Sequence, residues 1–261
     1  MDLNLNGKSV LITGGSKGLG LAMARRFASE GCHLHLAARS QTTLEDAAED
    51  IRSRHPVKVN TIAIDLAQHG SAGRVVGACG DIDILVNNAG DIPSGSLETV
   101  DEERWRAGWD SKVFNYINLS REYFGRMKAR RAGVIVNVIG ISGDILDASY
   151  IAGSVGNAAM TAFTKTLGST SHKFGVRVVG VNPGPCATER YERLARAKAQ
   201  ERYGDPERWR EALSTLPFGR AASPDEIAAA VVFLASPLSA YTTGAILTID
   251  GGLTGGHEIA R

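Results

Sequence analysis

Cysteine is scarce in this chain. Cys32, Cys79 and Cys186 lie far apart and form no CxxC pair, which argues against a disulfide framework or a cysteine-built zinc site and points to a reducing, cytoplasmic setting. Charge of one sign is also lacking. Lys plus Arg number 29 and Asp plus Glu 28, leaving +1, so neither a nucleic-acid-coating surface nor a strong anionic-membrane binder is expected. No stretch approaches the ~20 apolar residues of a membrane span, and the opening MDLNLNGKSV has neither the basic flank nor the apolar run of a leader. Linkers rich in Ser, Pro or Gly are missing too, as is any internal repeat beyond an alternation of strand and helix patterns. With 43% hydrophobic and 22% charged residues, the 261-residue chain reads as one α/β domain, 1–261, with one sizeable core.

Glycine is what the sequence has in quantity: 30 residues, scattered singly and in pairs, the mark of tight turns and close backbone approaches rather than low complexity. Around them the chain alternates. Short β-branched and apolar runs at Val10–Ile12, His33–Ala37, Val57–Ile64, Ile82–Val86, Val134–Val138, Val176–Val181 and Ile246–Ile249 are separated by helical patterns such as Leu19–Phe27 and Thr43–Ile51. Such alternation predicts βαβ units with right-handed crossovers, hence a doubly wound, seven-stranded parallel sheet with helices on both faces. His33 and His35 share a face of an internal strand without a carboxylate pair at matching spacing, so a structural role is expected and no metal site.

The first strand runs into Thr13-Gly14-Gly15-Ser16-Lys17-Gly18-Leu19-Gly20, which then opens a helix. A glycine turn there lets backbone approach a pyrophosphate at a helix N-terminus, the Rossmann-type dinucleotide arrangement. Its TGxxxGxG spacing is followed in order by Asp65-Leu66, Asn87-Asn88-Ala89-Gly90, Tyr150, Asn182-Pro183-Gly184 with Thr188, and Asp250-Gly251-Gly252. In these six matches the chain resembles the classical short-chain dehydrogenase/reductase family over essentially its whole length. The resemblance implies that Gly14, Ser16, Lys17, Gly18, Leu19 and Gly20 cradle a nicotinamide dinucleotide. It further implies Asp65 and Leu66 at the adenine, Asn88, Ala89 and Gly90 along the cofactor path, and Pro183, Gly184 and Thr188, with Tyr150, at the nicotinamide end. An acid closing the second strand would select a ribose 2′-hydroxyl. Here that place is Ala38, followed by Arg39, and Lys17 adds a second cation, so NADP(H) is expected in preference to NAD(H) unless both are ordinary surface cations.

The catalytic pattern departs from that family, whose working set is an Asn on the fourth helix, a Ser ending strand five, and a Tyr with a Lys four residues later. Tyr150 is present, but Ser154 stands at the usual lysine, Gly140 at the usual serine with Ser142 two residues on, and Lys112 at the usual asparagine. The family's lysine binds the nicotinamide ribose and lowers the phenol's pKa. A free phenol near pKa 10 is only ~0.1% ionised at neutral pH, so losing that cation weighs on alcohol oxidation more than on carbonyl reduction. Two readings stay open: Lys112 restores the cation from the opposite wall, or it points elsewhere. Ser142, with Asn137 and Ser149 as nearby alternatives, is the candidate to orient the substrate oxygen if the strand end stays extended, since i+2 then returns to the same side.

Residues 188–216 are dense in charge and place Tyr191, Leu194 and Ala195 at helical spacing, which suggests an amphipathic flap over the sheet edge or simply a solvated helix pair. The expected activity is hydride transfer between nicotinamide and a small-molecule carbonyl or secondary alcohol, with Tyr150, Ser142 and Lys112 as the catalytic set. A catalytically silent dinucleotide-binding redox sensor or scaffold is the rival, and an epimerase or dehydratase a third. Resemblance also implies a homotetramer, or a dimer, using the fourth and fifth helices, where Gly153, Gly156, Ala158 and Ala159 permit close contact between or within subunits, and the GGLTGGHEIAR tail.

Overall fold

The computed structural model describes residues 2–255. Seven strands, β1 (Ser9–Thr13), β2 (His33–Ala38), β3 (Val59–Ala63), β4 (Ile84–Asn87), β5 (Gly133–Val138), β6 (Val176–Pro183) and β7 (Ile246–Ile249), pair in parallel in the order β3-β2-β1-β4-β5-β6-β7. This is the doubly wound, Rossmann-type sheet that the alternation predicts. The third strand begins at Val59 and ends at Ala63, just before the Asp65 carboxylate accepts the Ala67 N–H and turns the chain. Among the described residues no helix is long and apolar enough to cross a membrane.

The helices are α1 (Gly18–Ser29), α2 (Gln41–Arg54), α3 (Ser71–Cys79), α4 (Glu102–Trp109), α5 (Asn115–Arg130), α6 (Ile151–Ser171), α7 (Glu189–Tyr203) and α8 (Pro224–Ala235). Strand alternation divides the core. Val10, Ile12, Val136 and Val179 pack under α1, α2 and α8, while Leu11, Leu85, Ile135 and Val178 pack under α3 and α5. The α8 position corrects one expectation. The chain moves from β6 to β7 in the same direction as from β4 to β5, yet α8 lies on the opposite face, against α1. That last crossover is therefore left-handed. The right-handed rule reflects a short strand-to-helix connection. Here α7 and a 3-10 helix, Pro206–Thr215, intervene, and the apolar stripe Ile227, Val231 and Val232 finds its partner on α1.

The strand order reverses between β1 and β4, where open α/β sheets bind ligands just past the strand ends. Thr13 closes that junction. Its hydroxyl accepts the N–H groups of Asn88 and Ala89 at 2.8 and 3.0 Å, and the Asn88 amide returns a bond to the Thr13 carbonyl at 2.8 Å. His33 Nδ1 accepts the Lys58 N–H, and His35 is buried in the sheet.

Candidate active site

One cleft of about 1030 Å³ opens past the strand ends. Gly14, Ser16, Lys17, Gly18, Leu19, Gly20, Arg39, Asp65, Leu66, Asn88, Ala89, Gly90, Lys112, Ser142, Tyr150, Pro183, Gly184 and Thr188 all line it.

Its first half is backbone. Gly14 has φ 67°, which an L side chain rarely adopts, and a Cβ on Gly20 would overlap the Gly14 carbonyl oxygen. The turn thus lies directly against the start of α1. Lys17 caps that helix without a side-chain hydrogen bond, so its first-turn N–H groups remain available to an anion in the cleft. Among the described residues neither Lys17 nor Arg39 forms an ion pair. These features fit a dinucleotide phosphate, whose charge would meet free N–H groups and two cations.

The second half is built from side chains on four elements, one of them a 3-10 turn, Ile141–Gly143, that holds Ser142 where an extended strand end is expected from the sequence. A π-helical turn, Asp110–Phe114, interrupts the helix between α4 and α5 and carries Lys112; such turns re-aim side chains and recur at functional sites. The Lys112 stem crosses Gly90, where a Cβ would stand 2.9 Å from its Cβ and Cγ. Its ammonium donates to the Ile139 carbonyl and, at 2.8 Å, to Asn157 Oδ1. Asn157 Nδ2 in turn donates to Ser142 Oγ at 2.5 Å. Direction matters in this chain. An ammonium only donates, which fixes the amide with Nδ2 toward Ser142, and a hydroxyl that accepts from Asn157 has its own proton free for the cleft. Burial, followed by repulsion from Arg190, brings the Lys112 pKa down to about 7.

Tyr150 is not in the helix that the i+4 argument requires. It is the N-cap of α6, with φ −137° and ψ 39°, held by bonds of its neighbours to Gly95. Helix α6 starts only at Ile151, because the Asp147 carboxylate accepts from both the N–H and hydroxyl of Ser149 and keeps the chain in a turn. From this cap the Tyr150 ring lies over Gly153, where an added Cβ would overlap Cε1 and Cζ. Ser154 turns away and is buried against the Asp147 backbone. The residue of α6 that faces Lys112 is Asn157, three positions further on. Burial raises the Tyr150 pKa above the ordinary phenol value, opposed by the Arg190 guanidinium beside it.

Sequence reasoning named none of Thr13, Asn157 and Arg190 as site residues. Arg190 donates to the Gly90 carbonyl at 3.0 Å, Asp91 Oδ1 at 2.7 Å and the Ile92 carbonyl at 3.3 Å. The 188–216 excursion forms the roof: Tyr191, Leu194, Ala195 and Trp209 line the cleft. Asn137, an alternative to Ser142, is buried and bonded to Asn87 and Thr164. Gly153 and Gly156 are used within the chain, the latter against Ile92, Val113 and Trp109. Residues 256–261 of the GGLTGGHEIAR tail lie outside the described residues.

Known proteins share this architecture end to end. The family profile described as Enoyl-(Acyl carrier protein) reductase matches residues 14–254. Galactitol 2-dehydrogenase (L-tagatose-forming) of Cereibacter sphaeroides is 34% identical over 252 residues, 96% of each chain. The NADPH-dependent reductase BacG of Bacillus subtilis (strain 168) is 30% identical over 254 residues, 94% of this chain and 97% of its own. The crystal structure of L-sorbose reductase from Gluconobacter frateurii, complexed with NADPH and L-sorbose, superposes with a TM-score of 0.91 at 33% identity, covering 97% of this chain and 99% of that one. The chain belongs to the classical short-chain dehydrogenase/reductase family.

Proposed function

We propose that this protein is an NADP(H)-dependent oxidoreductase that moves hydride between nicotinamide and a carbonyl or secondary alcohol carbon. The observation that carries the reading is the continuity of one cleft from the uncapped α1 N-terminus, past Lys17 and Arg39, to the Tyr150 phenol. NADPH complexes and NADPH-dependent reductases among the relatives support the choice of cofactor. Lys17 and Arg39 would hold the 2′-phosphate through charge-assisted bonds. The bound nicotinamide supplies or takes the hydride.

Tyr150 passes the proton to or from the substrate oxygen. In reduction the phenol already carries the proton it must give, so a raised pKa is no obstacle. Ser142, its Oγ accepting from Asn157, offers its own proton to the same oxygen and orients it. Lys112 sets the direction of that bond through Asn157. The roof of 188–216 closes over substrate and excludes water. The protein assembles as a homotetramer; the exposed Leu97, Phe114 and Val155, and Tyr241 and Leu247 near β7, are the apolar side chains available for two contacts, and sedimentation equilibrium tests it.

A second reading, a catalytically silent dinucleotide-binding redox sensor, draws on the altered set Lys112, Gly140 and Ser154. Titration with NADPH and NADH by nucleotide fluorescence, followed by a panel of ketones and ketoses, separates the two. Tighter NADPH binding with turnover of at least one carbonyl is expected. Binding without turnover across the panel would establish the sensor instead.

A further inference from the structure

We propose that Asn157 is a positioning residue for the Ser142 hydroxyl and forms with Lys112 an exchangeable pair, in which amide and cation can trade walls without reversing the hydrogen bond to Ser142. The inference rests on the oxidoreductase reading and deepens it, since it assigns to α6 a residue that acts on the substrate oxygen through Ser142. Asn157 is buried, and both sides of its amide are taken. Oδ1 accepts from the Lys112 ammonium at 2.8 Å, and Nδ2 donates to Ser142 Oγ at 2.5 Å. Gly140 leaves the amide its room, because a Cβ there would press within 3.2 Å of Nδ2. The amide also stands one helical turn beyond Gly153, over which the Tyr150 ring lies. The partner of Ser142 and the phenol therefore share one face of α6, from which Ser154 turns away to the Asp147 backbone.

Polarity makes the pair exchangeable. Ser142 keeps its own proton for the substrate only while its partner donates, which an amide nitrogen and an ammonium both do and a carboxylate cannot. Reach allows the exchange too. The Lys112 stem starts on the π-helical turn, crosses Gly90 and ends at the Ile139 carbonyl and Asn157. A lysine on 157 is longer than asparagine by about the 2.8 Å that separates the two groups, so its ammonium would come to the same point from the other wall, with three donors to divide between the Ile139 carbonyl and Ser142. An asparagine on 112 would leave that point free. Either change alone fails for a physical reason. Asparagine at both positions removes the cation that fixes the direction of the amide, and lysine at both forces two ammonium groups together in a buried place, where like charges repel strongly.

The test measures single-turnover NADPH oxidation, with a ketone that the wild-type protein reduces, in Asn157→Asp, Ser142→Ala, their combination, and the exchange Lys112→Asn/Asn157→Lys with its two single variants. Asn157→Asp keeps the size of the side chain and its bond to the ammonium but turns the Ser142 proton toward the carboxylate. Its rate is expected to fall about 100-fold, as in Ser142→Ala, the worth of one donor to a developing oxyanion, and the combined variant should fall no further. The exchange should return to within about tenfold of wild type from single variants that each lose about 100-fold, with the NADPH Kd unchanged throughout. An Asn157→Asp variant as active as wild type, which a purely structural role predicts, overturns the proposal, and so does an exchange no faster than either single variant. The aspartate arm decides the matter even where the exchanged chain does not fold. Nitrogen-15 NMR of the Asn157 side-chain amide adds a readout without turnover. Its resonance is expected to move in Ser142→Ala and in Lys112→Met, and one that stays in place in either variant overturns the pairing. An inactive wild-type protein would count against the oxidoreductase reading and leave the NMR result standing on its own.

Discussion

The two halves of the cleft are held in different ways. The nucleotide half is backbone and short contacts: a glycine turn, an uncapped helix end, and Thr13 tying the Asn88 segment to β1. The reaction half depends on side chains from four elements far apart in sequence, joined by bonds such as Lys112 to Asn157 and Arg190 to Gly90 across 45 and 100 residues. A backbone cradle constrains the chain to glycine at defined steps and tolerates little else. A side-chain constellation needs only that some residue deliver each group, so its members exchange places. That difference explains why local sequence motifs mark the nucleotide half of the cleft more clearly than the reaction half.

The comparison predicts which half each substitution injures. Gly153→Ala should have the largest effect, because its Cβ must displace the Tyr150 ring: kcat is expected to fall on the order of 100-fold, with the NADPH Kd unchanged by fluorescence titration. A fall in NADPH affinity of similar size would mean that the halves are not separable. Arg39→Ala should do the reverse. NADPH binding is expected to weaken about tenfold, the worth of an exposed charge-assisted bond, while NADH binding and kcat at saturation hold. Equal losses for both nucleotides would remove Arg39 from the 2′-phosphate.

The third prediction concerns stability and tests the burial of Lys112. Its pKa in the folded chain, about 7, lies below the ordinary value of 10.5. Between those values the unfolded chain binds a proton that the folded chain does not, so stability rises with pH there, by up to ~1.4 kcal/mol per pH unit. Below pH 7 both states are charged and the folded state carries the full cost of burial. Lys112→Met lacks this cost. Its advantage over wild type in urea denaturation should therefore be greatest at pH 6 and shrink toward pH 10. A constant difference would show that the ammonium is freely solvated.

Much of the scaffold is legible in the sequence, since strand runs, the glycine turn and the ordered motifs each depend on local sequence. The hand of the last crossover was not, because it follows from which surface α8 covers after an excursion that no local rule constrains. The same holds at the site. Reading Tyr150 and Ser154 as one helix face presumed that both were helical, and the Asp147 turn makes Tyr150 a cap instead. Gly153 was the available signal: a glycine in the first turn of a helix lowers its stability and here marks where the ring lies. Asn157 and Arg190 carry no motif of their own. They became visible only as partners of Lys112, Ser142 and the Gly90 segment.

Proton transfer by the Tyr150 phenol is the step on which the proposed activity depends. Its most direct test is single-turnover oxidation of NADPH, with a ketone that the wild-type protein reduces, in Tyr150→Phe. A rate lower by about 100-fold or more is expected, with an unaltered NADPH Kd. An undiminished rate in Tyr150→Phe would contradict it.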